Sequence, residues 1–185
     1  MVIVRNGKIS VRVQFVIVAV SLFFVTTILG MSALLRDTRE YQGSFYVIKA
    51  GDVEIKFENT GFRYKPVEHG QATKLMPTIL NNGVIDAYLF VKLEMNENDF
   101  QIGSMDKQLC ILSSDLSGDK NVYYYGTNEK LDNFSPGDKC KVFEAITINA
   151  NEGTTCDFAI KAYAIQTVGY EEATPQEVWK DAKDL

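Results

Sequence analysis

Hydrolytic or transfer chemistry needs a base, a nucleophile or a metal, and this chain holds few residues able to supply one. His69, in "VEHGQ", is the single histidine of 185 residues. A catalytic zinc usually takes three protein ligands, most often with two histidines among them, and keeps a position open for water. No HExxH occurs, and Cys110, Cys140 and Cys156 are too far apart in sequence to form a clustered Cys2His set with His69. A serine or cysteine nucleophile would have to use His69 or a lysine as base, and no GxSxG elbow is present. Asp115 and Asp119 flank Gly118 in "SSDLSGDKN", but the spacing and the missing terminal Glu separate this stretch from an EF-hand loop. It reads as a solvated turn. From Gly51 to Gly169 the glycines stand singly, as turn glycines do, so no phosphate-cradling loop is present. No catalytic, cofactor-binding or metal-ligating residue is assigned. No cofactor is expected, and the chain is read as a non-enzyme.

The elements around these residues are mostly strands. Val53, Ile55 and Phe57 alternate with Asp52, Glu54 and Lys56, the period of a strand buried on one face. Lys74–Leu80 and Val84–Met95 are two further strand-like runs, and the Asn81-Asn82-Gly83 corner between them reads as a tight hairpin, because Asn and Gly tolerate positive φ. In the second run Ala87, Leu89, Val91 and Leu93 face one way. Phe90 faces the other, so that side is not wholly wet. Gln108–Leu112, Val122–Tyr125, Cys140–Ile148 and Phe158–Gln166 complete the set. Loops are expected from Asn59 to Gly70 and at Ser135-Pro136-Gly137-Asp138. In "NVYYYGTN", Tyr124 lies opposite Tyr123 and Tyr125, so at least one of the three belongs to a core. Near the C-terminus, Thr174 as N-cap, Pro175 at the first helical position and Glu177 at N3 spell a capping box over a short helix. The expected fold is all-β, a jelly roll or β-sandwich of about seven to eight antiparallel strands. A hydrophobic helix precedes it and a short helix closes it.

The charge is unevenly spread. Residues 1–36 hold Arg5, Lys8, Arg12 and Arg36 with no acid, leaving 15 basic against 24 acidic side chains in residues 37–185, a net of −9. So acidic a domain repels phosphate backbones, which argues against nucleic acid as a partner. Arg5, Lys8 and Arg12 precede Val13–Leu35, a run in which Gln14 is the only strongly polar residue. A positive flank, an apolar stretch and the small residues Gly30, Ser32 and Ala33 at its end are the grammar of an export signal. Its 23 residues are also long enough to span a bilayer, and the basic flank would then hold the N-terminus in the cytoplasm. The chain therefore divides into a signal peptide or N-terminal membrane anchor (1–36), a connector or donor strand (37–48) and a β-sandwich domain (49–185). Export permits disulfides, yet three cysteines leave at least one thiol unpaired. The plain reading is three small, semi-buried apolar side chains.

Four stretches, in this order, give the chain a resemblance. They are "RDTREYQGSFYVIKAGDVEIKF", "MPTILNNGVIDAYLFVKLEM", "VYYYGTNEKLDNFSPGDKCKVFEAITI" and "DFAIKAYAIQTVGYEEATPQEVW". Together they cover most of residues 37–179, and the chain resembles the camelysin/TasA family, the SipW-dependent exported proteins of Gram-positive bacteria. Two features depart from that pattern: "MSALLRDT" directly after the apolar run, and the cysteines. The resemblance implies a jelly-roll domain outside the cell, processed by a signal peptidase, and a role as a fibre or matrix subunit. Its camelysin branch implies a secreted metalloprotease, against which the lone His69 argues.

The leading expectation is thus an exported structural protein of the cell surface or extracellular matrix that assembles with itself by strand addition. The arm "TREYQGSFYVI", Thr38–Ile48, is read either as a strand donated to a neighbour or as the first strand of its own domain. The rival is a surface binding domain tethered to the membrane through residues 13–35, with other surface proteins as partners.

Overall fold

The computed structural model describes residues 39–59, 65–67, 70, 72–113, 119–127, 129–150 and 155–185. The expected helix over residues 13–35 and His69 lie outside these. The segment Arg39–Leu185 forms one compact unit. Among the described residues no helix is long and apolar enough to cross a membrane.

Among its described residues the unit is all-β apart from one short C-terminal helix. Its strands in chain order are β1 (Arg39–Ala50), β2 (Ile55–Glu58), β3 (Lys65–Val67), β4 (Ala72–Lys74), β5 (Thr78–Asn81), β6 (Ala87–Met95) and β7 (Phe100–Ile102). They continue as β8 (Leu109–Ile111), β9 (Val122–Thr127), β10 (Lys130–Leu131), β11 (Lys139–Lys141), β12 (Ala145–Ile148) and β13 (Thr155–Gln166), before helix α1 (Pro175–Lys183). β3 falls inside the stretch expected to be loop. A seven-stranded sheet runs β10–β9–β6–β13–β1–β3, with β8 also paired to β9, and two three-stranded sheets run β11–β5–β2 and β4–β12–β7.

These thirteen segments exceed the seven or eight strands expected, because β3, β7 and β10 lie outside the runs read as strands and two of those runs are each broken between sheets. Lys74–Leu80 is divided at Leu75–Pro77, where Pro77 has no N–H to give a ladder. Cys140–Ile148 is divided opposite it. Leu75 N–H donates to Glu144 O at 3.2 Å and Val142 N–H to Pro77 O at 2.8 Å, so the two breaks face each other and join the small sheets. The expectation of wholly antiparallel pairing also fails at one place. β1 and β13 pair in parallel from Glu40 with Thr155 to Ala50 with Ile165, so the first and last strands of the unit are neighbours in the large sheet.

The Asn81–Gly83 hairpin is not present. β5 pairs with β2 and β11, whereas β6 pairs with β13 and β9, so the corner carries the chain from a small sheet to the large one. Neither Asn81 nor Asn82 takes positive φ. The Asn81 side chain, 1% exposed, fastens the crossing instead. Its amide donates to Phe134 O at 2.6 Å and Ile85 O at 3.0 Å, and its oxygen accepts the Gly83 N–H at 3.0 Å. Asn82 N–H adds a bond to Glu54 O at 2.8 Å. The turn expected at Ser135–Asp138 does form, with Asp138 N–H on Ser135 O at 2.9 Å and Gly137 at φ +89°.

Alternation sets the layers. Leu89, Val91 and Leu93 of β6 and Phe158, Ile160 and Ala162 of β13 enter one core with Ile55, Ile79, Phe100, Ile146 and Ile148 from the small sheets. On the opposite face Tyr88, Phe90, Tyr163 and Ile165 meet Val178, Trp179 and Ala182 of α1. This is why Phe90 is buried although it points away from the main core. The capping box starts α1 as expected, with Thr174 N–H donating to Glu177 Oε2 at 2.8 Å and Glu177 N–H to Thr174 Oγ1 at 3.4 Å.

Candidate interaction site at the open edge of the large sheet

The strand that closes the large sheet on one side is only partly covered. β3 pairs with β1 at Arg39–Tyr41 alone. Beyond that, Gly43–Ala50 bond β13 on one side and meet no strand on the other among the described residues. An uncovered row of N–H and C=O groups accepts a further strand. Side chains here follow the two-residue period. Phe45 turns inward, its ring 5.4 Å from that of Phe57 and 6.4 Å from that of Phe158. Val47, on the same face, stays 39% exposed at the margin, and Tyr46, on the other, is 50% exposed.

Tyr46 borders a shallow groove of about 700 Å³ shared with Ser44, Glu94, Asp157 and Lys161. Lys161 Nζ lies 2.8 Å from Glu94 Oε1 and 5.9 Å from the Tyr46 ring centre. The hydrogen bond to Glu94, more than any other influence, raises the Lys161 pKa, so the lysine stays charged. Lys92 Nζ, 4.0 Å from Glu94, donates to Asp119 Oδ1 at 3.0 Å. Alternating charges therefore cross the outward face from Tyr46 to α1.

Asp119, weighed above as a turn carboxylate, is spent on protein partners. Besides Lys92 it accepts the Trp179 indole N–H at 3.1 Å and lies 3.4 Å from Lys183 Nζ. Burial alone would raise its pKa. The bonds from Lys92 and Trp179 and the charges of Lys92 and Lys183 outweigh that and hold it below the usual range. Asp115 and Gly118 lie outside the described residues. Among those described, no group of three or more His, Cys, Asp or Glu side chains is placed to hold a metal ion.

The cysteines lie apart. Cys140 and Cys156 are buried in the main core, while half-buried Cys110 points its thiol at Gly126 O, 3.2 Å away, and neither Cys110 nor Cys140 is in a disulfide. Burial pushes the Cys140 thiol up to about 12, which makes it a poor nucleophile. Of the tyrosines, Tyr124 is buried on the α1 side and Tyr125 in the main core, with Tyr123 half-buried beside it, so none forms a free patch. Two residues went unread in the sequence: Asn81 as a fastener, and Ile111 on β8, 66% exposed at the far margin of the sheet. An Asn beside Gly has the look of a turn, and three residues carry too little period to reveal an edge. The chain matches no model of a known protein family and no characterised protein.

Proposed function

We propose that the chain is an exported structural protein of a Gram-positive cell surface or extracellular matrix, a fibre subunit whose copies join head to tail by strand addition. In this reading Arg5, Lys8, Arg12 and Val13–Leu35 direct export across the cytoplasmic membrane, signal peptidase is a transient partner, and residues 39–185 form a β-sandwich of jelly-roll type. The sandwich reading draws support from the single core shared by the large sheet and the two small ones. The likeness to the camelysin/TasA family supports the location and the fibre role.

The observation that carries assembly is the outer side of β1, where Val47 and Tyr46 flank a stretch, Gly43–Ala50, that pairs with β13 on one side and with no strand on the other among the described residues. In its own chain the arm read as a donor pairs with β13, so strand addition at this edge needs no exchange of β1. Deletion of Thr38–Ile48 is then no clean test, because it removes most of β1, the parallel partner of β13. Sedimentation of folded residues 34–185 is the better experiment. Large species that grow with concentration are expected. A monomer across the micromolar range would overturn the fibre reading in favour of a tethered surface binding domain.

A further inference from the structure

Among the described residues the large sheet has a second margin that no strand covers, and its geometry matches the first. β8 pairs with β9 at Leu109–Ile111, and no strand covers its far side among the described residues. β1 runs parallel to β13, β13 antiparallel to β6, β6 antiparallel to β9, and β9 antiparallel to β8. β1 and β8 therefore point in opposite directions. If a second copy were placed in the same orientation beside the first, its β8 would meet β1 antiparallel.

Two further conditions decide whether such edges fit: which groups point outward, and which face each side chain takes. On β8, Gly126 N–H bonds Gln108 O and Leu112 N–H bonds Val122 O, both at 2.8 Å. Period two then turns Cys110 toward β9 as well and leaves Ile111 directing its N–H and C=O outward. On β1, Pro66 stands opposite Glu40 and has no N–H, so Arg39 and Tyr41 are the residues that bond β3. Period two carries that outward direction to Phe45, Val47 and Lys49. The faces agree too. Val47 shares the face of Phe45, and Ile111 that of Leu109, both the face of the main core. A wrong parity in either condition would put a bonded pair on opposite faces; here both are met by the same pairing.

We infer that the polymer forms by direct addition of the β8 edge of one copy to the β1 edge of the next, with Ile111 opposite Val47 on one continuous sheet. The inference rests on the self-assembly proposed above and names the surfaces that carry it. A head-to-tail contact of this kind propagates into a filament when its rotation does not close a ring. Each copy contributes five strands, β8, β9, β6, β13 and β1, so the repeat along the sheet is about 24 Å. The turn per copy is about 100–125° from the ordinary strand twist.

The test uses the chain in its exported form and three variants: Val47→Lys, Ile111→Glu and the two combined. Both positions are surface-exposed, and an unchanged melting temperature confirms that each variant folds. Each single change is expected to raise the critical concentration for polymerisation about fivefold, the scale of one lost cross-strand contact. The combined variant should return close to the wild type, since the introduced lysine and glutamate then face each other across the contact. Singles that polymerise like the wild type, or a combined variant no better than the singles, would overturn the pairing while leaving self-assembly standing. A wild type that stays monomeric would instead remove the self-assembly reading, and this inference with it.

Discussion

At the scale of single residues, the fold is most sensitive where a polar group has been buried for a purpose. Asn81 satisfies two carbonyls and one N–H at the point where the chain changes sheets. Asn81→Leu keeps the branched shape of the side chain and leaves those three groups without partners. Stability should fall by about 2–4 kcal/mol, read as the shift of a urea midpoint at unchanged slope. Cys140 offers a chemical check. With its pKa pushed up to about 12 it is a neutral thiol at pH 8, so it should resist iodoacetamide in the folded protein and react once the chain is unfolded. Mass mapping of the labelled peptide distinguishes it from Cys110 and Cys156.

At the scale of an element, α1 shows how a short helix is held on a sheet. Nine residues are marginal alone, and the capping box adds only part of what is missing. The rest comes from Trp179, whose ring centre lies 4.9 Å from that of Tyr163 and 5.5 Å from that of Phe90. Trp179→Ala should cost about 3–5 kcal/mol and expose Phe90 and Tyr163, seen as a gain in binding of an apolar dye. Asp119 ties the same helix down from the sheet side. Its folded pKa lies below its ordinary value, so its stabilising effect is complete above about pH 4 and is lost as pH falls through the folded value. Trp179 is the only tryptophan, so its emission reports this directly. Acidification should shift the emission to the red, and Asp119→Asn should weaken that dependence by removing the charge that Lys92 and Lys183 face.

At the scale of the whole molecule, the parallel pair of β1 and β13 makes the ends of the unit depend on each other. Neither strand gains its main partner until the last has been made, so much of the stabilising contact is non-local and folding should be slow, in the millisecond-to-second range. A chain ended at residue 154 lacks a central strand and is expected to stay unfolded, with neither near-ultraviolet circular dichroism nor a cooperative melt.

What could be read beforehand and what could not divides along the same scales. The alternation of Leu89, Val91 and Leu93 with Tyr88 and Phe90 named both faces of β6, and Thr174 with Glu177 named the start of α1. These signals lie within a few residues of the positions they describe, because side-chain direction and end-capping are local matters. Alternation says which face a residue takes but not which strand lies beside it. Asn81-Asn82-Gly83 therefore read as a hairpin, and only the competing partners β2, β11, β9 and β13 made it a crossing between sheets. The two edges that no described strand covers were hidden for the same reason: an edge is defined by what does not lie beside it. The sequence alone determined an acidic, strand-rich chain with a basic, apolar leader and a capped terminal helix. The tertiary structure decided how the strands are shared among sheets and where they stop, since main-chain pairing is made between segments that no local pattern connects.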